Sequence, residues 1–265
     1  MHQQRSFPDV EKLFGELLSK PHSLTPCYNN YRFFHYIMPK RYNKLADHTM
    51  KKSLSFIRDL KNNNNTQWFH ANRPRYDEAK VEFLAFIEIL VSEIGLFDPD
   101  LGPVSAKSTL FRINRDIRFS KDKSPYKTNF GSFIIKGGKK TGNAGYYFHL
   151  DPAGTFIGGG VYHPEAEILK KVRQEIYENP EEFREIISNK KFRDSFGEMY
   201  DDQLKTGPKG FPKDFEHMDL IKYKSYIVSK SLDEKMLSGD ELIKETLEAF
   251  RLMHPLIRFI NFGLE

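Results

Sequence analysis

Residues 145–162, which read GYYFHLDPAGTFIGGGVY, carry the clearest strand signals in this chain. Two short runs rich in aromatic and β-branched residues flank the tetrapeptide Asp151-Pro152-Ala153-Gly154. This tetrapeptide suits a tight turn, because proline presets its own backbone angle and glycine accepts the left-handed conformation. The stretch therefore predicts an antiparallel β-hairpin.

Other segments extend this pattern in both directions along the chain. Candidate strands lie at 109–119, 129–136, 145–151, 155–162 and 224–229. Amphipathic periodicity predicts helices over 51–60 and 75–95, before the first strand. It also predicts helices over 165–178, 181–188, 214–222 and 240–265, on either side of the strand at 224–229. We therefore predict the α+β class, with an antiparallel sheet of four or more strands and helices before and after it.

The first 49 residues differ in texture from the rest and show no clear helical or strand period. Two explanations remain open: an upstream extension with Met50 as the true initiator, or a native arm that binds a partner. We predict that residues 1–49 form an N-terminal extension of doubtful order that is dispensable for folding. Residues 50–265 are then expected to form a single α+β domain.

Overall composition limits the classes of partner. The chain has 41 Lys and Arg against 36 Asp and Glu, a net charge of +5 that permits an anionic partner without requiring one. Its single cysteine, Cys27, excludes an intrachain disulfide and fits a reducing compartment. The sequence contains no run of about 18 apolar residues, so no membrane-spanning helix is predicted. We predict a cytoplasmic protein without a membrane partner; the sequence does not indicate its oligomeric state.

Positive charge is concentrated in one stretch, residues 112–140. It holds nine basic and two acidic side chains, a net +7, so the remaining residues sum to 5 − 7 = −2. On a strand over 109–119, alternation places Arg115 between the apolar residues Ile113 and Ile117. Because an unpaired buried charge is costly, we predict that Arg115 is buried and paired with a carboxylate from a packed helix.

The other face of that predicted strand has two competing interpretations. In one it is a solvated ladder of exposed ion pairs, which contribute little stability. In the other it is a preorganised anion site opening onto a cavity, because guanidinium groups grip phosphates and carboxylates through paired hydrogen bonds. The predicted ligand-binding residues of this segment are Arg112, Arg115, Asp116, Arg118, Lys123, Tyr126 and Lys127.

Tyr147 and His149 on the predicted hairpin complete the predicted site. His149 is either an acid–base or anion-contacting group beside the site, or a half-buried strand histidine with one backbone partner. Tyr147 faces the glycine run 158–160 across the hairpin, and glycine there lets either the ring or a ligand approach the backbone closely.

The segment 115–127, RDIRFSKDKSPYK, resembles the signature of a widespread family of conserved hypothetical proteins, domain of unknown function 2461, found in bacteria and fungi. Further similar stretches are 64–69, 146–150, 156–160 and 208–211, so that the resemblance spans about residues 53–263. It implies a cytoplasmic protein of one domain. It implies no activity, so no catalytic role is transferred, and residues 1–49 lie outside the pattern.

Motifs for metal or cofactor binding are missing from the sequence. There is no HExxH, paired-cysteine or EF-hand spacing, and residues 137–142 lack the Walker pattern. His149 and His163 lie about 20 Å apart on the predicted hairpin, at about 3.3 Å per residue, so they cannot share a metal. We predict no metal and no cofactor.

Three functional hypotheses remain. The leading one is binding, with turnover as an open extension, of a small anionic, phosphate-bearing ligand at the Arg/Lys/Asp/Tyr cluster. The second is a nucleic-acid-binding module that uses the same basic strand and the tip at residues 136–140, where aromatic residues interleave with cations. The third is a structural or partner-binding protein without a ligand. Whether the protein is an enzyme stays undecided at the level of sequence.

Overall fold

A computed structural model of the protein describes residues 50–233, 235, 237 and 240–265. The expectations for residues 1–49 lie outside this range. Within it, the chain forms nine α-helices and four β-strands. No helix of the described part combines the length and apolar character needed to cross a bilayer.

The helices before the sheet are α1 (Lys51–Asn62), α2 (Thr66–Ala71), α3 (Arg73–Phe97) and α4 (Ala106–Thr109), with a 3-10 turn at Pro99–Leu101. Helix α1 buries its apolar face, as its periodicity predicts. Asn65 caps the N-terminus of helix α2, and its side chain accepts a hydrogen bond from the backbone N–H of Trp68. Pro74 lies in the first turn of α3, where a helix loses no hydrogen bond to proline.

The sheet consists of β1 (Phe130–Ile135), β2 (Gly145–Leu150), β3 (Phe156–Val161) and β4 (Tyr226–Ser231). All neighbours are antiparallel and the strand order is β1-β2-β3-β4. The later helices are α5 (Ala166–Glu178), α6 (Pro180–Ser188), α7 (Lys190–Phe196), α8 (Met218–Ile221) and α9 (Asp240–Phe262). The predicted α+β class, the antiparallel sheet and the helices on both sides in sequence are confirmed.

One face of the sheet, which we call the helix face, packs on α3 and α9. The ring centroids of Phe86 and Phe148 lie 4.7 Å apart, and those of Phe250 and Tyr146 lie 5.1 Å apart. Tyr146 and Phe148 are fully buried, so this contact is the centre of the core.

The opposite face, which we call the second face, is less covered. Because side chains alternate along a strand, Tyr147 and His149 lie on this face while Tyr146 lies on the helix face. Tyr147 is paired in register with Gly158, as the hairpin prediction requires. Phe133, Tyr147, His149 and Phe156 on this face are half-buried, and Ser229 is exposed.

The predicted strand over 109–119 is wrong. Helix α4 ends at Thr109, and the following segment makes only isolated bridges, from Leu110 to Ser132 and from Asn114 to Tyr126. The segment instead folds back on itself, since the N–H of Arg115 donates to the carbonyl of Pro125 at 2.9 Å. Pro125 has no N–H to return, which stops a regular ladder from forming at this point.

Candidate functional site

Arg115 fastens the loop that follows it. Its guanidinium forms an ion pair with Asp122 and donates to the carbonyl oxygen of Ser124 at 3.1 Å. The backbone N–H and hydroxyl of Ser124 hold the pKa of Asp122 at about 2, with help from Arg115. The prediction of a buried pair with a helix carboxylate is wrong: the partner lies in the same loop, and no strand exists to place Arg115 on an apolar face.

Tyr126 is a core residue of this segment. Its side chain is buried, and its ring stacks on Phe69 with a centroid distance of 4.0 Å. The side-chain amide of Asn64 donates to the carbonyl of Tyr126 at 2.9 Å and accepts from its N–H at 3.1 Å. These contacts tie the segment to the loop between α1 and α2, so Tyr126 anchors the region without bordering an open site.

Three other predicted residues have local partners in the same segment. Arg118 binds the carboxylate of Asp116, with 2.7 Å between Nη2 and Oδ2, and the Arg118 side chain is 76% exposed. The amine of Lys123 donates to the carbonyl of Ile117 at 3.0 Å. This part of the segment matches the interpretation as exposed ion pairs, which contribute little to stability.

The remaining predicted cations gather elsewhere, around the ring of Phe111. The amines of Lys127 and Lys139 lie 5.2 Å and 4.9 Å from its centroid. Arg112 is close enough for its charge to lower the pKa of Lys127. We call Arg112, Lys127 and Lys139 the basic cluster. Lys139 was missed by sequence reasoning, although it belongs to the counted stretch of +7, because charge counting does not show which cations meet.

The electrostatics of the basic cluster are unbalanced. Burial lowers the pKa of Lys127, and the charge of Arg112 lowers it further. Burial also lowers the pKa of Lys139, with the charge of Lys127 as the second cause. No carboxylate of the described residues lies within ion-pair distance of these three side chains.

Tyr147 and His149 lie beside the basic cluster on the second face. The Tyr147 ring meets Phe111 edge-on at 6.2 Å, and its hydroxyl is 2.8 Å from Nδ1 of His149. Nε2 of His149 is 4.0 Å from the carboxylate of Asp151. Gly131 leaves room for the hydroxyl, because a Cβ there would lie 2.9 Å from it.

This row of three groups is suited to proton movement. Burial raises the pKa of Tyr147 to about 12. It lowers the pKa of His149, with the charge of Asp151 acting in the opposite direction. A neutral imidazole between a hydroxyl and a carboxylate can accept a proton on one nitrogen and donate from the other. The polar partner of His149 is thus the side chain of Tyr147. The interpretation of His149 as a half-buried strand histidine had predicted a backbone partner.

The helix face holds a second polar group that no sequence signal indicated. The hydroxyl of Tyr146 donates to Asp98 at 2.8 Å and lies 3.1 Å from Nδ1 of His254. Burial opposes ionisation of Asp98, but hydrogen bonds from His254 and Tyr146 lower its pKa overall. Asp98 and His254 lie 48 and 108 positions from Tyr146 in the chain, so no local sequence pattern indicates that the three side chains meet.

A cavity of about 120 Å³ adjoins Asp98 and Tyr146, and the residues of the predicted anion site do not line it. The described residues contain no group of three or more His, Cys, Asp or Glu side chains placed to hold a metal ion.

Comparison with known proteins gives a family and nothing further. Neither the curated proteins nor the solved structures contain a match. The sequence model of one family, described as "Conserved hypothetical protein (DUF2461)", matches residues 52–259, which is most of the chain. This match agrees with the resemblance seen in the segment 115–127. The protein therefore belongs to the DUF2461 family of conserved hypothetical proteins.

Proposed function

We propose that the protein binds a small anionic, phosphate-bearing ligand at the basic cluster of Arg112, Lys127 and Lys139. The observation that carries this proposal is the meeting of two lysine amines over one phenylalanine ring without a carboxylate of the described residues to neutralise them. Like charges held together repel one another unless an opposite charge relieves them. A bound anion is the simplest relief.

The ring of Phe111 alone is a weak substitute for an anion. A cation–π contact at an exposed site contributes about 0.5–1 kcal/mol, and it leaves the positive charge in place. Phe111 is 41% exposed, so its contacts with Lys127 and Lys139 fall in this weak range. Burial is the main cause of the lowered pKa of both lysines, and the nearby charges of Arg112 and Lys127 add to it, as expected for cations that no carboxylate of the described residues offsets.

Turnover of the ligand is the extension that Tyr147 and His149 support. Their hydroxyl–imidazole pair lies beside Phe111, next to the cations that would hold an anionic substrate. A positioned imidazole with a lowered pKa is largely neutral near pH 7 and is therefore available as a proton acceptor. We keep the cytoplasmic location within this proposal, on the basis of the single cysteine.

Nucleic-acid binding is the second candidate, and one observation favours it. Phe119 is 94% exposed at the tip of the basic segment, with the guanidinium of Arg118 5.8 Å from its ring. Exposed aromatic rings beside cations can stack on unpaired bases. Binding of this kind weakens steeply with salt, because several phosphates release counterions together. Binding of a single enclosed phosphate group depends less on the salt concentration.

A thermal-shift screen tests the leading proposal. Inorganic phosphate, a sugar phosphate and a nucleotide are added to the wild type, to Lys127→Met and to Lys139→Met, at constant ionic strength. Ligand at 100 times its Kd stabilises a fold by about 2.7 kcal/mol, which corresponds to about 5–10 °C for a chain of this size. We expect a shift of this order in the wild type and its loss in both variants.

Lys121→Met is the matched control, because Lys121 is an exposed lysine of the same segment. It removes one positive charge without touching the basic cluster, so its shift should equal that of the wild type. General salt stabilisation would raise all four proteins equally. Equal shifts, or no shift in the wild type, would contradict the proposal and favour a structural role for the charged segment.

A further inference from the structure

The cavity of about 120 Å³ lies on the helix face, where β1 ends and β2 begins. Its lining includes the carboxylates of Asp98 and Asp100 and the side chains of Lys136, Arg258 and Asn261. The amide of Asn261 is fixed, because it accepts from the N–H of Ala144 at 2.7 Å and donates to its carbonyl at 3.2 Å. The wall is therefore preformed and rigid on this side.

Asp98 presents an oxygen that the protein leaves without a side-chain partner. Its side chain is 8% exposed, yet it lines the cavity. Tyr146 and His254 both approach the same atom, Oδ2, at 2.8 Å and 3.7 Å. Within the described part of the chain, no side chain binds Oδ1. The backbone of Leu101 also contributes a hydrogen bond that lowers the pKa of this carboxylate. Each carboxylate oxygen has two acceptor positions, so the group keeps capacity for a cation or a donor.

The charges around the cavity favour a cation. Three carboxylates, Asp98, Asp100 and Glu265, line it together with two basic side chains. Lys136 is bound by Glu265 at 2.8 Å. The pKa of Lys136 is raised, first by Glu265 and further by the charges of Asp100 and Asp98, so the potential at its amine is negative. A second cation would enter a region that already attracts one.

The volume restricts the size of the occupant. A cavity of about 150 Å³ lined by apolar side chains can hold benzene, so about 120 Å³ admits a molecule of roughly four or five non-hydrogen atoms. Leu101 and Ile257 supply apolar lining beside the carboxylates. A short alkyl chain with one charged end matches this combination.

We infer that the cavity binds the protonated amino group of a small primary amine, with Oδ1 of Asp98 as its acceptor. The hydroxyl of Tyr146 and the imidazole of His254 position the carboxylate through Oδ2. Lys136 is the protein's own ammonium group at the cavity, and it competes with the ligand for the same negative potential. This site is separate from the basic cluster, because Tyr146 and Tyr147 lie on opposite faces of β2.

Calorimetric titration of the full chain with n-propylammonium chloride tests this inference. A ligand of four non-hydrogen atoms is expected to bind no tighter than roughly the micromolar-to-millimolar range, so it is titrated at millimolar concentrations. Neutral n-propanol and anionic sodium propionate serve as probes of similar size. Saturable binding of the ammonium ion alone is expected. Binding of propionate or propanol as tight as that of propylammonium would overturn the inference, as would no binding at all.

Variants identify the binding groups. Asp98→Asn should weaken propylammonium binding about tenfold or more, because it removes a buried charge at the contact. Asp100→Asn, at the exposed rim, should weaken it about twofold to threefold, and it keeps the test valid if Asp98→Asn does not fold. Lys136→Met should tighten binding about threefold, because a competing cation is gone. A structural role for Lys136 would not produce tighter binding, so weaker binding in this variant contradicts the inference.

Lys127→Met is the control that separates this site from the proposed anion site. It should leave propylammonium binding unchanged, while Asp98→Asn should leave the phosphate shift unchanged, provided that it folds. If both ligands respond to the same variant, the two sites are not independent and the cavity assignment fails. If only phosphate binding fails, the proposed function is wrong and the cavity assignment stands.

Discussion

At the scale of single residues, Arg115 shows how a local partner changes an energetic expectation. Its charge is satisfied by Asp122 and Ser124, and its side chain is 24% exposed. Removing one member of a fully buried ion pair costs about 3–5 kcal/mol, whereas exposed pairs contribute about 0–1 kcal/mol. Arg115 lies between these limits because it also holds a backbone carbonyl and the Ser120 hydroxyl.

We therefore predict that Arg115→Ala lowers the free energy of unfolding by about 1–2 kcal/mol, since it removes charge-assisted hydrogen bonds from a half-buried loop. Urea denaturation measures this change. Arg118→Ala is the matched control and should cost less than about 1 kcal/mol, because water competes for both Arg118 and its exposed partner Asp116. A cost above 3 kcal/mol for Arg115→Ala would show that the pair is buried after all.

Which individual residues form the site was only partly visible in the sequence. The concentration of charge in 112–140 drew attention to this region, and Lys127 and Tyr147 both contact the ring of Phe111, with His149 beside Tyr147. Tyr126 belongs to the core instead, because Phe69 stacks on its ring from a distant helix. Composition and spacing report how much charge a segment carries, but a ring contact depends on tertiary packing that neither expresses.

At the scale of elements, the hairpin was predictable because its signals are local. The predicted strand 145–151 corresponds to Gly145–Leu150, and the turn at 151–154 joins it to β3, although Gly154 does not adopt the left-handed conformation expected from the turn sequence. The segment 109–119 has an equally regular alternation and is not a strand. Alternation indicates only that a segment has one apolar and one polar face. A strand also needs a neighbouring segment with free N–H and carbonyl groups, and Pro125 lacks the N–H in the segment that pairs with Arg115.

Strand β3 offers a test at this scale. Gly160 has a φ of +116°, and a Cβ at this position would lie 2.0 Å from the carbonyl oxygen of Tyr226 on β4. Gly160→Ala therefore combines an unfavourable backbone angle with a clash against backbone, and should cost at least about 3 kcal/mol. Chemical denaturation provides the measurement.

Gly154→Ala in the β2–β3 turn is the control for this substitution, because no atom lies within 4 Å of its Cβ position. It should change the stability by no more than about 0.5 kcal/mol. Similar costs for the two substitutions would mean that the close approach of β3 and β4 at Gly160 is wrong.

At the scale of the whole molecule, the sheet separates two polar regions of opposite character. The basic cluster lies with Tyr147 on the second face, and the carboxylates around Asp98 lie with Tyr146 on the helix face. The sequence showed the positive region, because its charges are concentrated in the single stretch 112–140. It could not show the negative one, because Asp98, which directly follows α3, and His254 in α9 lie far apart in the chain.

Nuclear magnetic resonance titration of the lysine amines tests the central claim, an anion bound at the basic cluster, most directly. We predict that Lys127 and Lys139 titrate below the ordinary lysine pKa in the free protein, first because of burial and second because of the nearby charges of Arg112 and Lys127, respectively. Saturating inorganic phosphate should raise both pKa values, since a nearby anion favours the charged ammonium form. If Lys127 and Lys139 titrate at the ordinary lysine pKa in the free protein and phosphate changes neither value, no anion site exists at the basic cluster.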